Sequence, residues 1–204
     1  TVRGAQRMAA AEVVLFDADR VTPDDPRVVA TRQIVQRYSV PGELLAKVSS
    51  LGHAPRVIGV FNQPQPPGFR TVAMPPSLGV WLAGVGDPGN VGTLVRTAAA
   101  FGCDWVALGP GSADASNPKA VRAAMGATFT IPILEGVRPD DLATRPGLRV
   151  VAGVVDGGTP YWDADLTVPT IIALGAERAG IEPALVALGE SVEVVRVTIP
   201  QEPG

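Results

Sequence analysis

The chain has 204 residues, 46% of them hydrophobic, and a formal net charge of −3. That size and apolar content suit one ordinary domain plus a small one and exclude a disordered polymer as the starting expectation. A single cysteine, Cys103, and a single histidine, His53, exclude an internal disulfide and leave too few soft ligands for a zinc or iron centre, so no metal is expected. No apolar run approaches the ~20 residues that span a bilayer, and "TVRGAQRMAA" lacks the layout of a signal peptide. A cytoplasmic location with no membrane partner is expected.

In chain order, "EVVLF" and "RVIGVF" read as buried strands, and "DPRVVATRQIVQRY" sets Val28, Val29, Ile34 and Val35 on one helical stripe. Together they describe a small α/β module over residues 1–62. The module looks short, with "RMAAAEVVLF" passing quickly from helix to strand, so further residues ahead of Thr1 are expected. Residues 1–70 hold nine Lys/Arg against six Asp/Glu, whereas residues 71–204 hold eight against fourteen. If the protein meets an anionic polymer, the basic first segment meets it first; ordinary surface scatter explains the same numbers equally well.

Pro64, Pro66, Pro67, Pro75 and Pro76 then remove backbone donors and stiffen an extended path, which reads as a linker over residues 63–79. Beyond it, "GVWLAGV", "DWVALG", "LRVVAGVV", "TIIALG" and "SVEVVRVTIP" are short apolar runs separated by helical or turn segments. That is the layout of an α/β fold with a parallel sheet covered on both faces, assigned to residues 80–204. Trp81 and Trp105 fall in strand patterns and read as core.

The first turn of this second domain, "GVGDPGNVGTLVRTAAAFG", contains Gly84, Gly86 and Gly89 in the G-x-G-x-x-G spacing of a dinucleotide-binding turn. In such a fold the third glycine lies inside the helix and an acid about twenty residues on ends the next strand. Here Pro88 and Gly89 read as turn, because Val91, Leu94, Val95, Ala98 and Ala99 start the helical pattern only at Asn90. The acid at the right distance, Asp104, begins its strand. No Lys-Ser or Lys-Thr follows the glycines, which excludes a P-loop. What remains is a helix with Arg96 opposite its apolar stripe, in line with Gly92, Thr93 and Ala100. By itself Arg96 reads as a solvated arginine ahead of a fixed cation beside a pocket.

"DPGNVGTLVRTAAAFG", "SADASNPKAVRAAMGATFTIPI", "IIALGAERAGI" and "VTIPQEPG" resemble, in that order, the successive motifs of the SpoU (TrmH) family of RNA ribose 2′-O-methyltransferases. The resemblance covers about residues 80 to 204. It is weaker in the N-terminal segment, which is similar to the ribosomal-protein-like RNA-binding domain that many of these enzymes carry. It implies a trefoil-knotted α/β domain of the SPOUT type, S-adenosylmethionine as methyl donor, an RNA substrate with ribosomal RNA favoured over transfer RNA, and a homodimer with its active sites at the subunit interface. It also implies catalytic roles for Asn90, Arg96 and Glu177, and cofactor contacts from Leu174, Gly175, Ile199 and Pro200.

These residue types suit the chemistry. Methyl transfer to a ribose hydroxyl is an in-line displacement in which a poor nucleophile must be positioned and lose its proton. An arginine stays protonated, so Arg96 is expected to stabilise the forming alkoxide and hold the adjacent phosphate rather than act as a literal base. Asn90 would orient Arg96 and Glu177 would pair with an arginine or with backbone amides; their ordinary readings are a helix cap and a surface carboxylate. Asn117 reads as an N-cap followed by Pro118, which sets Lys119 and Arg122 on a helix as candidate RNA-phosphate ligands. Tyr161 and Trp162 fall in a loop, where they either pack together or stack on a base. The third motif stops before the family's Ser-Leu-Asn segment, so a longer natural chain is expected. Two rival readings are a catalytically inactive RNA-binding or assembly protein with the same fold, and a nucleotide-dependent oxidoreductase resting on the glycine spacing alone.

Overall fold

The computed structural model describes residues 11–34, 36–49, 51–62, 68–69 and 78–198. The chain divides into two compact units, Thr1–Gln65 and Pro66–Gly204.

In the first unit, β1 (Ala11–Asp17) is the middle strand of a three-stranded sheet. β2 (Gln36–Val40) lies parallel to it on one side and β3 (Val57–Phe61) antiparallel on the other. Val14, Phe16 and Ile34 are buried together, with Val21, Val28 and Val57 packed against them. The helix expected along "DPRVVATRQIVQRY" is only α1 (Pro26–Val29), capped by Asp25; the chain then turns and enters β2. Val29 is exposed and Val35 lies outside the described residues. Four of the five β2 residues are exposed, so the strand carries no apolar signature and is selected by its ladder with β1. A second short helix, α2 (Gly42–Val48), buries Leu45. Asp17 is buried at the end of β1: burial raises its carboxyl, but Arg20 and the Asp19 amide outweigh that and hold it below the usual carboxylate range.

The second unit is a parallel sheet, as its apolar runs require. Its elements in chain order are β4 (Leu78–Ala83), α3 (Pro88–Ala100), β5 (Trp105–Leu108), α4 (Pro118–Ala123), β6 (Ile133–Leu134), α5 (Pro139–Leu142), β7 (Arg149–Gly153), β8 (Thr159–Pro160), β9 (Thr170–Gly175), α6 (Glu182–Leu188) and β10 (Glu193–Thr198). Among the described residues the sheet has seven strands in the order β6-β5-β4-β9-β7-β10-β8, every pair parallel. Val80 and Leu82 face α3, where Val91, Val95 and Ala98 join them. Trp81 faces the other side, among Leu142, Leu185 and Leu188. Burial on both faces is why these strands read as continuous apolar runs. Trp81 and Trp105 are core residues as expected, and the Trp81 indole N–H donates to the Val137 carbonyl at 3.1 Å. The two-residue strands β6 and β8 left no periodic trace.

Phe69, within the stretch read as a linker, is buried against Trp105 with ring centroids 5.7 Å apart, and the Arg145 guanidinium lies 5.3 Å from its ring centre. Part of that proline-rich stretch therefore belongs to the second unit's core. Among the described residues no helix is long and apolar enough to cross a membrane.

Gly92, expected on the polar face of its helix with Arg96, is buried, because α4 crosses α3 there. A Cβ at Gly92 would lie 2.1 Å from the Ala120 carbonyl oxygen and 2.8 Å from the Ala123 Cβ. Helix propensity alone would make Gly92→Ala stabilising by ~1 kcal/mol. We expect the opposite sign: overpacking against backbone costs ~1–3 kcal/mol, read as a lower urea midpoint with an unchanged slope.

Candidate active site

β4 and β9 are neighbours in the sheet, with Ala83 opposite Gly175, so the segments following these two strands emerge side by side at its carboxyl edge. Open α/β folds bind ligands at that edge. The β4 exit is stapled to the β5 exit: the Ser112 hydroxyl donates to the Leu82 carbonyl (2.7 Å) and accepts from the Gly84 amide (3.1 Å), and Ala113 N–H donates to the Val85 carbonyl (2.9 Å). Gly84 makes the bend with φ of +81°, a conformation that favours glycine.

Asp87 then caps α3, its Oδ1 accepting from the Asn90 amide at 3.0 Å, with Pro88 at the first helical position. Pro88 and Gly89 are therefore helical, not turn. One of the two grounds for setting aside the dinucleotide reading falls with that correction. The other stands, since Asp104 precedes β5 rather than ending it. The other Asp87 oxygen takes the Lys119 ammonium at 2.5 Å. Lys119 reaches it from the first turn of α4, which is capped by Asn117 and opened by Pro118 as the sequence indicated. The Lys119 hydrogen bond, then the Asn90 amide, hold the Asp87 carboxyl below its usual range.

The Asn90 side chain reaches across to the second strand exit, where its Nδ2 donates to Glu177 Oε1 at 2.8 Å. Glu177 stands in a tight turn closed by reciprocal backbone hydrogen bonds between Ala176 and Gly180. A Cβ at Gly175 would lie 2.1 Å from the Gly180 carbonyl carbon and oxygen, so only glycine lets the turn fold back on β9. The Asn90 hydrogen bond, then the residue's own amide, keep the Glu177 carboxyl below its usual range.

Thus Asn90 and Glu177, 87 residues apart, are in contact. Leu174 and Gly175 end β9 directly before them, both half-buried. Arg96 is not in this contact. It is exposed on α3, about 9 Å along the axis and about 120° around it from Asn90, and its side chain makes no hydrogen bond or ion pair with another described residue. Arg122 is exposed on the last turn of α4. Ile199 and Pro200 lie outside the described residues. Asp87 was missed from sequence; its signal was Asp-Pro, an N-cap residue followed by a proline suited to the first helical turn.

His53 is exposed, its Nδ1 3.0 Å from the Leu51 carbonyl in its own turn. Cys103 is half-buried, and that burial pushes its thiol pKa up. Tyr161 and Trp162 pack edge to face, ring centroids 5.0 Å apart, yet both stay exposed.

The model of the SpoU rRNA Methylase family matches residues 77–204. An uncharacterized tRNA/rRNA methyltransferase of Synechocystis is 32% identical over 175 residues, 84% of this chain and 61% of its own length. The 23S rRNA (guanosine(2553)-2′-O)-methyltransferase RlmP of Bacillus subtilis is 40% identical over 103 residues, 50% of this chain and 42% of its own. The chain thus spans about three fifths and two fifths of these two relatives. The crystal structure of the SpoU methyltransferase AviRb from Streptomyces viridochromogenes, in complex with AdoMet, shares the fold, with a TM-score of 0.83 and 24% identity over 98% of this chain and 78% of that one. With the family match covering well over half its length, the chain belongs to the SpoU rRNA methylase family.

Proposed function

We propose that the protein is an S-adenosylmethionine-dependent RNA methyltransferase that methylates a ribose 2′-hydroxyl, with ribosomal RNA as substrate. The observation that carries this reading is the Asn90–Glu177 hydrogen bond at the joined exits of β4 and β9, with Arg96 on the same helix as Asn90. The named activities of the Synechocystis and Bacillus relatives support it.

The strand ends fit the cofactor. Gly153 ends β7 exposed, its Cβ direction meeting Leu174 Cδ2 at 3.5 Å, so bare main chain lies beside an apolar side chain at the exits of two adjoining strands. A flat adenosine takes such a surface, and main-chain groups there supply the polar contacts. Leu174, Gly175, Ile199 and Pro200 would hold it. The chemistry supplied by bound S-adenosylmethionine is an electrophilic methyl group on a sulfonium.

The chain's own residues do the rest. Arg96, with no carboxylate partner among the described residues, presents its guanidinium to the RNA: it stabilises the alkoxide forming at the 2′-oxygen and holds the neighbouring phosphate. Asn90 and Glu177 brace the two strand exits so that the hydroxyl meets the methyl group in line. Arg122 lends a cation to the RNA backbone. The small N-terminal unit grips the RNA. The active form is a homodimer with the site at the subunit interface.

Calorimetric titration of the full-length protein with S-adenosylmethionine is expected to give saturable one-to-one binding per subunit. Ribose-methylation mapping of RNA from cells with and without the protein is expected to differ at a ribosomal position. No heat of binding and no lost methylation would select the inactive RNA-binding reading instead.

A further inference from the structure

Lys119 was expected to bind RNA phosphate, but its ammonium already has a carboxylate. It begins an unbroken chain of polar contacts that ends at Glu177. Lys119 Nζ meets Asp87 Oδ2 at 2.5 Å, Asp87 Oδ1 accepts from the Asn90 amide at 3.0 Å, and the Asn90 side chain donates to Glu177 at 2.8 Å. The chain joins the first turn of α4, the cap and first turn of α3, and the turn after β9.

A Cβ at Gly89 would lie 2.7 Å from Asp87 Oδ1 and 3.1 Å from Lys119 Cε, so glycine there admits both the cap and the lysine. The pair contributes little to holding the helices together, because its side chains are 55% and 42% exposed and a pair so solvated is energetically weak. The close α3–α4 contact at Gly92 does that work. What the pair does govern is the Asp87 carboxylate. Left without its counter-charge, that carboxylate would repel Glu177, which shares Asn90 with it, and would be free to leave its capping geometry.

We propose that Lys119 is a positioning residue for methyl transfer, acting through Asp87 to hold Asn90 against Glu177. The inference rests on the reading of Asn90 and Glu177 as part of the active site. It assigns Lys119 to the transition state rather than to RNA affinity.

The test uses the full-length protein, tritiated S-adenosylmethionine and ribosomal RNA from cells lacking the protein. Lys119→Gln is expected to lower kcat about fivefold, as the loss of a solvated ion pair allows, with the KM for RNA and the salt dependence of RNA binding unchanged. Asp87→Asn keeps a good helix cap but carries no charge to repel Glu177, so the double variant is expected to recover most of the kcat that Lys119→Gln loses. Lys119→Arg is expected to restore kcat to within about twofold of wild type. A raised KM with kcat intact and a salt slope shallower by about one phosphate contact would make Lys119 an RNA ligand and overturn the proposal. Independent, additive losses from Lys119→Gln and Asp87→Asn would overturn it as well. A wild-type protein that transfers no methyl group at all refutes the underlying methyltransferase reading, and this inference falls with it; normal wild-type turnover with an unaffected Lys119→Gln variant refutes the inference alone.

Discussion

Arg96→Ala is expected to abolish methyl transfer, lowering kcat by at least ~10²- to 10³-fold, the effect of removing a single preorganised donor from developing negative charge. Two further measurements separate this from general damage. The Arg96 side chain is exposed and bonds to no described residue, so its truncation should leave stability within about 0.5 kcal/mol of wild type. Affinity for S-adenosylmethionine should stay within about twofold, because Arg96 stands on α3 whereas the proposed cofactor wall is Leu174 and Gly175 of β9. Arg96→Lys keeps the charge but loses the planar fork and should recover only part of the rate. Turnover unchanged in Arg96→Ala would return the residue to the solvated helix face and remove its proposed role.

Gly175→Ala is expected to have the largest effect of any single added methyl group at the site. The new Cβ would overlap the Gly180 carbonyl and approach Ile181 N to 2.3 Å, and these are backbone atoms that no rotamer change can move aside. Either the turn carrying Glu177 opens or β9 shifts against β4. Overpacking of this kind costs ~1–3 kcal/mol, and in a chain of this length each 1 kcal/mol lowers Tm by about 2–4 °C. S-adenosylmethionine affinity should fall together with stability, since the displaced backbone is the proposed cofactor wall. Binding and melting temperature both at wild-type values would show that the turn is not held against the strand as described.

How far the sequence could be read depended on where each contact partner lies. The strands of the second unit were visible because each is buried on both faces, and such burial writes an uninterrupted apolar run: "GVWLAGV" announced β4 and "TIIALG" announced β9. The helix start at Pro118 was visible because Asn-Pro is a local signal whose hydrogen bond spans only two residues. The corresponding start of α3 was misplaced by two residues because the apolar stripe begins at Val91, while the first turn is fixed by the Asp87 cap. β2 was read as helix because an edge strand with four exposed residues has no periodicity to betray it. Gly92 was assigned to a solvated face because nothing in its own helix announces that α4 crosses there.

The sequence by itself determined the α/β class, the order of the principal strands and the resemblance to a methyltransferase family, since these follow from apolar patterning and from motifs that lie within short stretches. The tertiary structure decided which candidates touch. Asn90 and Glu177 meet across 87 residues because β4 and β9 are adjacent in the sheet although β5 to β8 intervene in the chain. Lys119 is claimed by Asp87 because α4 packs along α3 at a glycine. Sheet order and helix crossing are set by burying whole faces of elements remote in sequence, and that information is spread over the entire core rather than written at any one residue.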